Sequence, residues 1–308
     1  MATFGKATFN AAKYASCRPT YPRQLYDFVF QFRESTKGAR WDTALDIGCG
    51  TGQATVELTP FKRIIGVDPS AKMIEQARES VKTSHAGLDL SSQIEFIQSN
   101  AEDLKSIQEG SIDLIVSAQA CHWFDWDKFW PEAARVLRKD GMFAAWGYSE
   151  FRLARYPSAT SLISAYSQGS DPEKSLGPHW ERPGRTIVDN HLLDVPDPLE
   201  AVPGKFSSFE RVFFTGDHYL HLPNRRPVIL RMDTTWAGLM GYLRTFSALH
   251  TFHGKYPEDL EREDGDIATR FWRRLKQEVA SVDGTGVPND EDPITIEWPL
   301  ALILARRA

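Results

Sequence analysis

Cysteine is scarce in this 308-residue chain: Cys17, Cys49 and Cys121 are the only three, and no two form a Cys-x-x-Cys pair. A disulfide framework is thereby excluded, no metal site is expected, and a reducing cytosol suits the composition. A basic excess is missing too. Lys and Arg number 36 against 41 Asp and Glu, a formal net charge of −5, which argues against a protein whose main task is gripping nucleic acid. No run approaches the roughly 18 apolar residues of a membrane-spanning helix. The opening MATFGKATFNAAKY lacks the charged-then-apolar profile of a signal peptide. There is no internal repeat and no low-complexity tract. What is plentiful is core material, with 42% hydrophobic residues and nine Trp, so global disorder is excluded. The expectation is a globular cytoplasmic protein without a membrane partner.

Residues 41–148 alternate short apolar runs with amphipathic stretches, the pattern of βα units around a parallel sheet. TALDIG (43–48), RIIGVD (63–68), IEFIQS (94–99), IDLIVSA (112–118) and MFAAWGY (142–148) read as strands. Ser70 is a candidate N-cap for the helix AKMIEQARESVK. WDKFWPEAARVLRKDG reads as a helix ending at Gly141, with Arg138 and Lys139 in its last turn. After Tyr148 the rhythm breaks. The chain divides on this basis into a lid and first helix (1–40), a cofactor-binding core (41–148), a proline-rich cap or substrate-shaping insertion (149–205), and terminal strands (206–308) interrupted by a helical substrate-side insertion (about 225–285). In that last part FERVFFTGDHYL (209–220) reads as a strand, 234–250 as helical with Asp233 or Thr234 as cap, and IATRFWRRLKQEV (267–279) as a helix with one buried stripe. The run Glu258 to Glu263 reads as a solvated face and Gly284 to Asp292 as a loop. ITIEWPLALILAR (294–306) reads as one strand, which with 209–220 would make an edge hairpin on an otherwise parallel sheet.

The most informative stretch is Asp46-Ile47-Gly48-Cys49-Gly50-Thr51-Gly52, directly after a strand and before a helix expected near Gln53. Glycines let the chain turn sharply and let a ligand lie against the backbone. A dinucleotide site would want a third spaced glycine at position 53, and a P-loop would need Gly-Lys-Ser/Thr; neither is present. What remains suits a nucleoside without phosphates. Asp46 can accept from a ligand ammonium, directly or through water. Asp68, ending the second strand, can take both hydroxyls of a ribose. Asn100-Ala101-Glu102 follows the third strand, where an adenine edge could be met, and Gln119-Ala120-Cys121-His122-Trp123-Phe124 follows the fourth. All four places are C-terminal strand ends, where open α/β sheets bind ligands.

These ordered motifs resemble the class I S-adenosylmethionine-dependent methyltransferases over residues 43–148. FNAAKYASCRPTYP, HWFDWDKFW, LRKDG, WGY, LGPHWERPGR and YLRTFSALH, spread from residue 9 to residue 250, are similar to the trans-aconitate methyltransferase group and its small-molecule relatives. The resemblance implies a doubly wound α/β fold: a mostly parallel seven-stranded sheet, its last strand antiparallel, with an α-rich cap insertion. It implies S-adenosyl-L-methionine as cofactor and methyl transfer to a carboxylate, giving a methyl ester. The cofactor-binding set is then Tyr14, Arg18, Asp46, Gly48, Cys49, Gly50, Gly52, Asp68, Pro69, Met73, Asn100, Ala101, Glu102, Gln119, Ala120 and Trp123, with Tyr14 and Arg18 on a lid stiffened by Pro19 and Pro22.

An ionised carboxylate needs no general base, whereas a hydroxyl or ammonium acceptor does. His122 is the candidate base or orienting donor, or else shapes the pocket. Trp123 and Phe124 either pack on adenine or belong to the core. Arg185 and Arg244 are candidates for holding an anionic acceptor, since a guanidinium matches a carboxylate bidentately. Trp146, Tyr148, Trp180 and Trp236 could wall the acceptor pocket. The competing functions are an O- or N-methyltransferase of a secondary metabolite and a non-catalytic cofactor-binding regulator.

Overall fold

The protein is described from a computed structural model, which covers residues 17–84 and 92–308. Ten strands are described: β1 (Thr43–Ile47), β2 (Arg63–Asp68), β3 (Ile94–Gln98), β4 (Ile112–Ala118), β5 (Leu137–Tyr148), β6 (Arg152–Leu153), β7 (Phe206–Phe214), β8 (Leu230–Thr235), β9 (Pro293–Trp298) and β10 (Leu300–Arg307). The α-helices among the described residues are α1 (Arg23–Glu34), α2 (Ala71–Ser84), α3 (Trp126–Val136), α4 (Thr160–Gln168), α5 (Gly184–Asp189), α6 (Pro198–Ala201), α7 (Trp236–Leu243), α8 (Ser247–Lys255) and α9 (Ile267–Asp283). No helix among the described residues is long and apolar enough to cross a membrane.

Two compact units emerge. The sheet unit comprises Thr20–Tyr148, Thr186–Pro227 and Leu300–Ala308. Its seven strands run in the order β3-β2-β1-β4-β5-β10-β7. The pairs from β3 to β5 are parallel, and β10 is antiparallel to both its neighbours. This is the doubly wound, mostly parallel seven-stranded sheet expected, with the last strand of the chain antiparallel. Its central strands are buried throughout (Ala44 to Ile47, Ile64 to Asp68, Ile112 to Ser117), as continuous apolar runs require when helices cover both faces. Helix α1 buries Leu25, Tyr26, Val29, Phe30 and Arg33, the stripe of a 3.6-residue period. Helix α3 anchors through Trp130, which meets Phe143 and Phe206 at centroid distances of 5.1 and 5.3 Å.

The second unit comprises Ser149–Arg185 and Val228–Pro299 together with residues 17–19. It holds an antiparallel sheet in the order β6-β9-β8 beside its helices, so this part is not purely α-rich. Helix α9 buries Ile267, Phe271, Leu275 and Val279, the stripe expected.

Several local expectations are corrected. ITIEWPLALILAR is two strands in two sheets, β9 on β8 and β10 between β5 and β7. The break falls at Pro299, which has no N–H to give a ladder. Strands β7 and β10 do pair antiparallel at the sheet's edge, but a long excursion through the second unit separates them, so they are not a hairpin. Helix α3 stops at Val136 rather than Gly141, because Leu137 is extended (φ −66°, ψ 132°) and Asp140 turns at φ 62°. Arg138 therefore serves no helix end. It lies 3.0 Å from buried Asp113, which Arg33 also approaches at 3.5 Å. Thr234 and Thr235 end β8; the cap of α7 is Thr235, whose Oγ1 accepts from Gly238 N at 3.2 Å. Asp259, expected on a solvated face, is buried and pairs with Arg270 at 2.8 Å.

Candidate functional site

The glycine loop leaves β1 as a tight turn and continues into a short 3₁₀ segment, Thr55–Leu58, not the expected α-helix. Gly48 N and Cys49 N both donate to Val67 O (2.8 and 3.0 Å), tying the loop to β2. Gly48, Gly50 and Gly52 all have positive φ. At Gly48 a Cβ would lie 2.3 Å from Ala120 Cβ, so the turn after β4 presses directly on the loop.

Asp46 is fully buried, and its Oδ2 accepts from Thr55 Oγ1 at 2.6 Å. Oδ1 is sealed from solvent and has no hydrogen-bond partner among the described residues. Burial, with a further push from the charge on Asp68, drives its carboxyl up to about 7, and the Thr55 bond only partly opposes this. Nothing in the sequence spacing marks Thr55 as the holder of Asp46. A raised folded pKa in an acid means that the folded state retains a proton the unfolded chain has released. This contribution to stability is intact below the ordinary carboxylate range and is lost as pH rises toward 7. Asp46→Asn, which removes the ionisation, should therefore raise the melting temperature by several degrees at pH 8 and by progressively less toward pH 4. Parallel melting curves of the two proteins at all pH values would show that Asp46 is not held this way.

Asp68 ends β2. Its Oδ2 accepts from Gly50 N at 3.0 Å and its Oδ1 from Ser70 N at 2.8 Å. Burial raises this carboxyl as well, opposed by those two backbone bonds. Each oxygen keeps a second lone pair, the pair of acceptors a vicinal diol needs. Ser70 caps α2 as expected, its Oγ accepting from Met73 N at 3.4 Å. Met73 is buried, and Pro69 is exposed with its carbonyl accepting from Gln98 Nε2 at 3.0 Å.

After β3, Asn100 is exposed, Ala101 is buried and Glu102 accepts from Asp125 N at 2.8 Å. After β4, Gln119 sits at φ 53°, and its side chain clamps β5: Nε2 donates to Tyr148 O at 3.1 Å and Oε1 accepts from Tyr148 N at 2.7 Å. The amide named as a ligand contact is thus spent on holding two strand ends together. His122 is buried with its ring 4.9 Å from that of Trp123, which is 40% exposed and so available to a ligand. Burial drives Cys121 up to about 12 and Cys49 well above its ordinary range, so neither is a thiolate.

The remaining candidates fall in both units. Trp146 and Tyr148 are buried on β5, and Tyr21 packs against both rings at 5.4 and 6.5 Å. In the second unit, Trp236 is buried at the start of α7. Trp180 Nε1 donates to Ser167 O at 2.7 Å, and the Arg185 guanidinium stacks 4.2 Å over the Trp180 ring. Arg18 Nη2 donates to Thr245 O at 3.3 Å. Arg244 is corrected: both prongs of its fork bind Asp266, one at 2.8 Å, and Nη2 also donates to Thr269 Oγ1 at 3.0 Å. Asp266 in turn caps α9 through Thr269 N. The fork therefore ties α7 to α9 and does not lie open to an acid. Tyr14 lies outside the described residues.

The arrangement fits an adenosylated amino acid: a buried acceptor for an ammonium, paired acceptors for a ribose, and an open-backbone turn between them. The methyltransferase domain family matches residues 45–145. The chain is similar to a Saccharomyces cerevisiae protein named as a probable S-adenosylmethionine-dependent methyltransferase, 36% identical over 303 residues that cover 97% of this chain and 96% of that one. A candidate methyltransferase of Dictyostelium discoideum is 26% identical, covering 96% of this chain and 92% of its own length. The solved structure of a candidate type II methyltransferase from Anaeromyxobacter dehalogenans matches with a TM-score of 0.64 at 25% identity, over 94% of this chain and 97% of that one.

Proposed function

The chain belongs to the S-adenosylmethionine-dependent methyltransferases, and from that premise we propose that its acceptor is a small cytoplasmic molecule methylated on a carboxylate oxygen. The cofactor supplies a methyl already activated on a sulfonium. The protein's work is then to hold an acceptor lone pair in line with the methyl–sulfur bond, and alignment of this kind contributes about 7–11 kcal/mol. In the proposed arrangement Asp68 takes the ribose hydroxyls and Asp46 the ammonium. Asn100, Ala101, Glu102 and Trp123 meet the adenine, and Arg18 belongs to the lid.

One observation carries the choice of acceptor. The titratable groups described at the strand ends are mostly committed: Asp46 and Asp68 hold the loop, Glu102 binds Asp125 N, and both cysteines stay protonated. His122 is the remaining candidate base. A carboxylate needs none, which favours the acid over a hydroxyl or amine acceptor. Arg185, whose guanidinium stacks on Trp180, is the arginine proposed to grip the acceptor's charge.

The test is a methyl-transfer screen across di- and tricarboxylates, phenols and amines. The expected product is a base-labile ester. His122→Ala should then keep its activity within about tenfold, since base catalysis contributes roughly 10²–10⁴ only where a proton must leave. A thousandfold loss in kcat at unchanged cofactor affinity would move the assignment to a hydroxyl or amine acceptor.

A further inference from the structure

Among the polar atoms of the sheet unit that are sealed from solvent without a hydrogen-bond partner among the described residues are Asp46 Oδ1 on β1, the Trp146 indole Nε1 on β5 and the Tyr26 hydroxyl on α1. They share one face of the sheet. Asp46 is in register with Val116, and Val116 with Ala144, two residues before Trp146. Asp46 and Trp146 therefore leave the same face of the sheet. Helix α1 lies on that face, with the Tyr26 ring edge-on to Trp146 at 5.7 Å and 89°. Burial raises the phenol's pKa, with smaller pushes from the charge of Glu57 and then that of Asp46.

A buried polar atom left without a partner is costly, and native proteins rarely tolerate several at one place. These three are complementary: an indole N–H that can only donate, a carboxylate oxygen that accepts, and a phenol able to do both. Water is the small group that satisfies all three, accepting from the indole and donating to the carboxylate. We propose that Tyr26 is a positioning residue for Asp46, the two joined with Trp146 by a bridging water that pins Oδ1 while Thr55 pins Oδ2. The assignment rests on Asp46 receiving the cofactor ammonium. It also recasts Trp146, expected to wall the acceptor pocket, as a partner of the cofactor loop. Tyr26 lies 20 residues before Asp46, outside every motif the sequence marks.

The experiment is a double-variant cycle read by calorimetry with S-adenosylhomocysteine and by melting curves. Phe retains the Tyr26 ring and its packing, so Tyr26→Phe removes only the hydroxyl. Its Kd should rise about five- to tenfold, the scale of one hydrogen bond, with the melting temperature unchanged or lower. The Tyr26→Phe/Asp46→Asn double variant should bind no more weakly than Asp46→Asn alone, because the phenol acts through the carboxylate. Trp146→Phe, which deletes the indole donor, is a second arm with the same expected non-additivity. A rise in melting temperature at unchanged Kd is the signature of an isolated buried hydroxyl and would overturn the proposal, as would strictly additive losses. Absence of binding by the parent protein would fall on the assignment of the glycine loop itself and take this inference with it.

Discussion

Gly48→Ala is expected to weaken S-adenosylhomocysteine binding by roughly a hundredfold and to lower the melting temperature by about 5–10 °C. Two penalties coincide at this position. The backbone sits at φ 72°, a region that costs an L side chain about 1–2 kcal/mol. The new methyl would also fall 2.3 Å from Ala120 Cβ, far inside contact distance. Ala120 cannot give way freely, since it follows Gln119, whose side chain is clamped to the Tyr148 backbone. The loop must then move away from β4, breaking the bonds from Gly48 N and Cys49 N to Val67 O and carrying Asp46 with it. Gly50→Ala is the internal control. Its φ of 55° carries the same backbone strain, but a Cβ there meets nothing within 4 Å. It should lose affinity about tenfold, against a hundredfold for Gly48→Ala. If the two variants behave alike, contact with Ala120 is not what shapes the loop.

Asp68→Ala should cost about 1–3 kcal/mol in cofactor binding, a factor of roughly 5–150. The structure adds a second consequence. The carboxylate is also the acceptor for Gly50 N and Ser70 N, so deleting it leaves two loop amides without a partner and should lower the melting temperature. Asp68→Asn is not expected to rescue either property. Both oxygens of Asp68 face backbone N–H groups, and an amide must present its own NH₂ to one of them. Calorimetry beside melting curves separates the effects. Parent-like Kd in both variants would remove Asp68 from the cofactor site, whereas loss of affinity in Ala with full recovery in Asn would show that charge and loop geometry are unimportant there.

How much of this was legible beforehand differs by residue. The apolar runs that became β1, β2, β4 and the 142–148 part of β5 declared themselves, because a strand buried on both faces has to be continuous and hydrophobic, while edge strand β3 showed instead as alternation. Asp46 and Asp68 were placed correctly at strand ends, since their distance from those runs is a local property. The 3.6-residue stripe of α9 was equally plain. Helix ends were harder. The last turn expected at Arg138 and Lys139 dissolved because Arg138 answers to Asp113, a residue 25 positions earlier in a different strand.

Composition, hydrophobic period and glycine spacing by themselves determined the alternating α/β core, the position of the glycine loop and the two acids beside it, while the seven-stranded sheet with its antiparallel last strand came from the family resemblance. These follow from steric allowance and periodicity, which a chain carries in neighbouring residues. Only the tertiary structure decided which partner each polar group takes. Arg244 read as a fork waiting for an acid, and Asp266 occupies it. Gln119 read as a ligand contact, and it clamps Tyr148. One apolar run read as a single strand, and Pro299 deals its halves to two sheets. Asp46 was visible, but its bond to Thr55 and the arrival of Tyr26 and Trp146 on its face of the sheet came only with tertiary packing. Charge and hydrogen-bond pairing are satisfied through space, and contacts between residues far apart in the chain have no local signature to read.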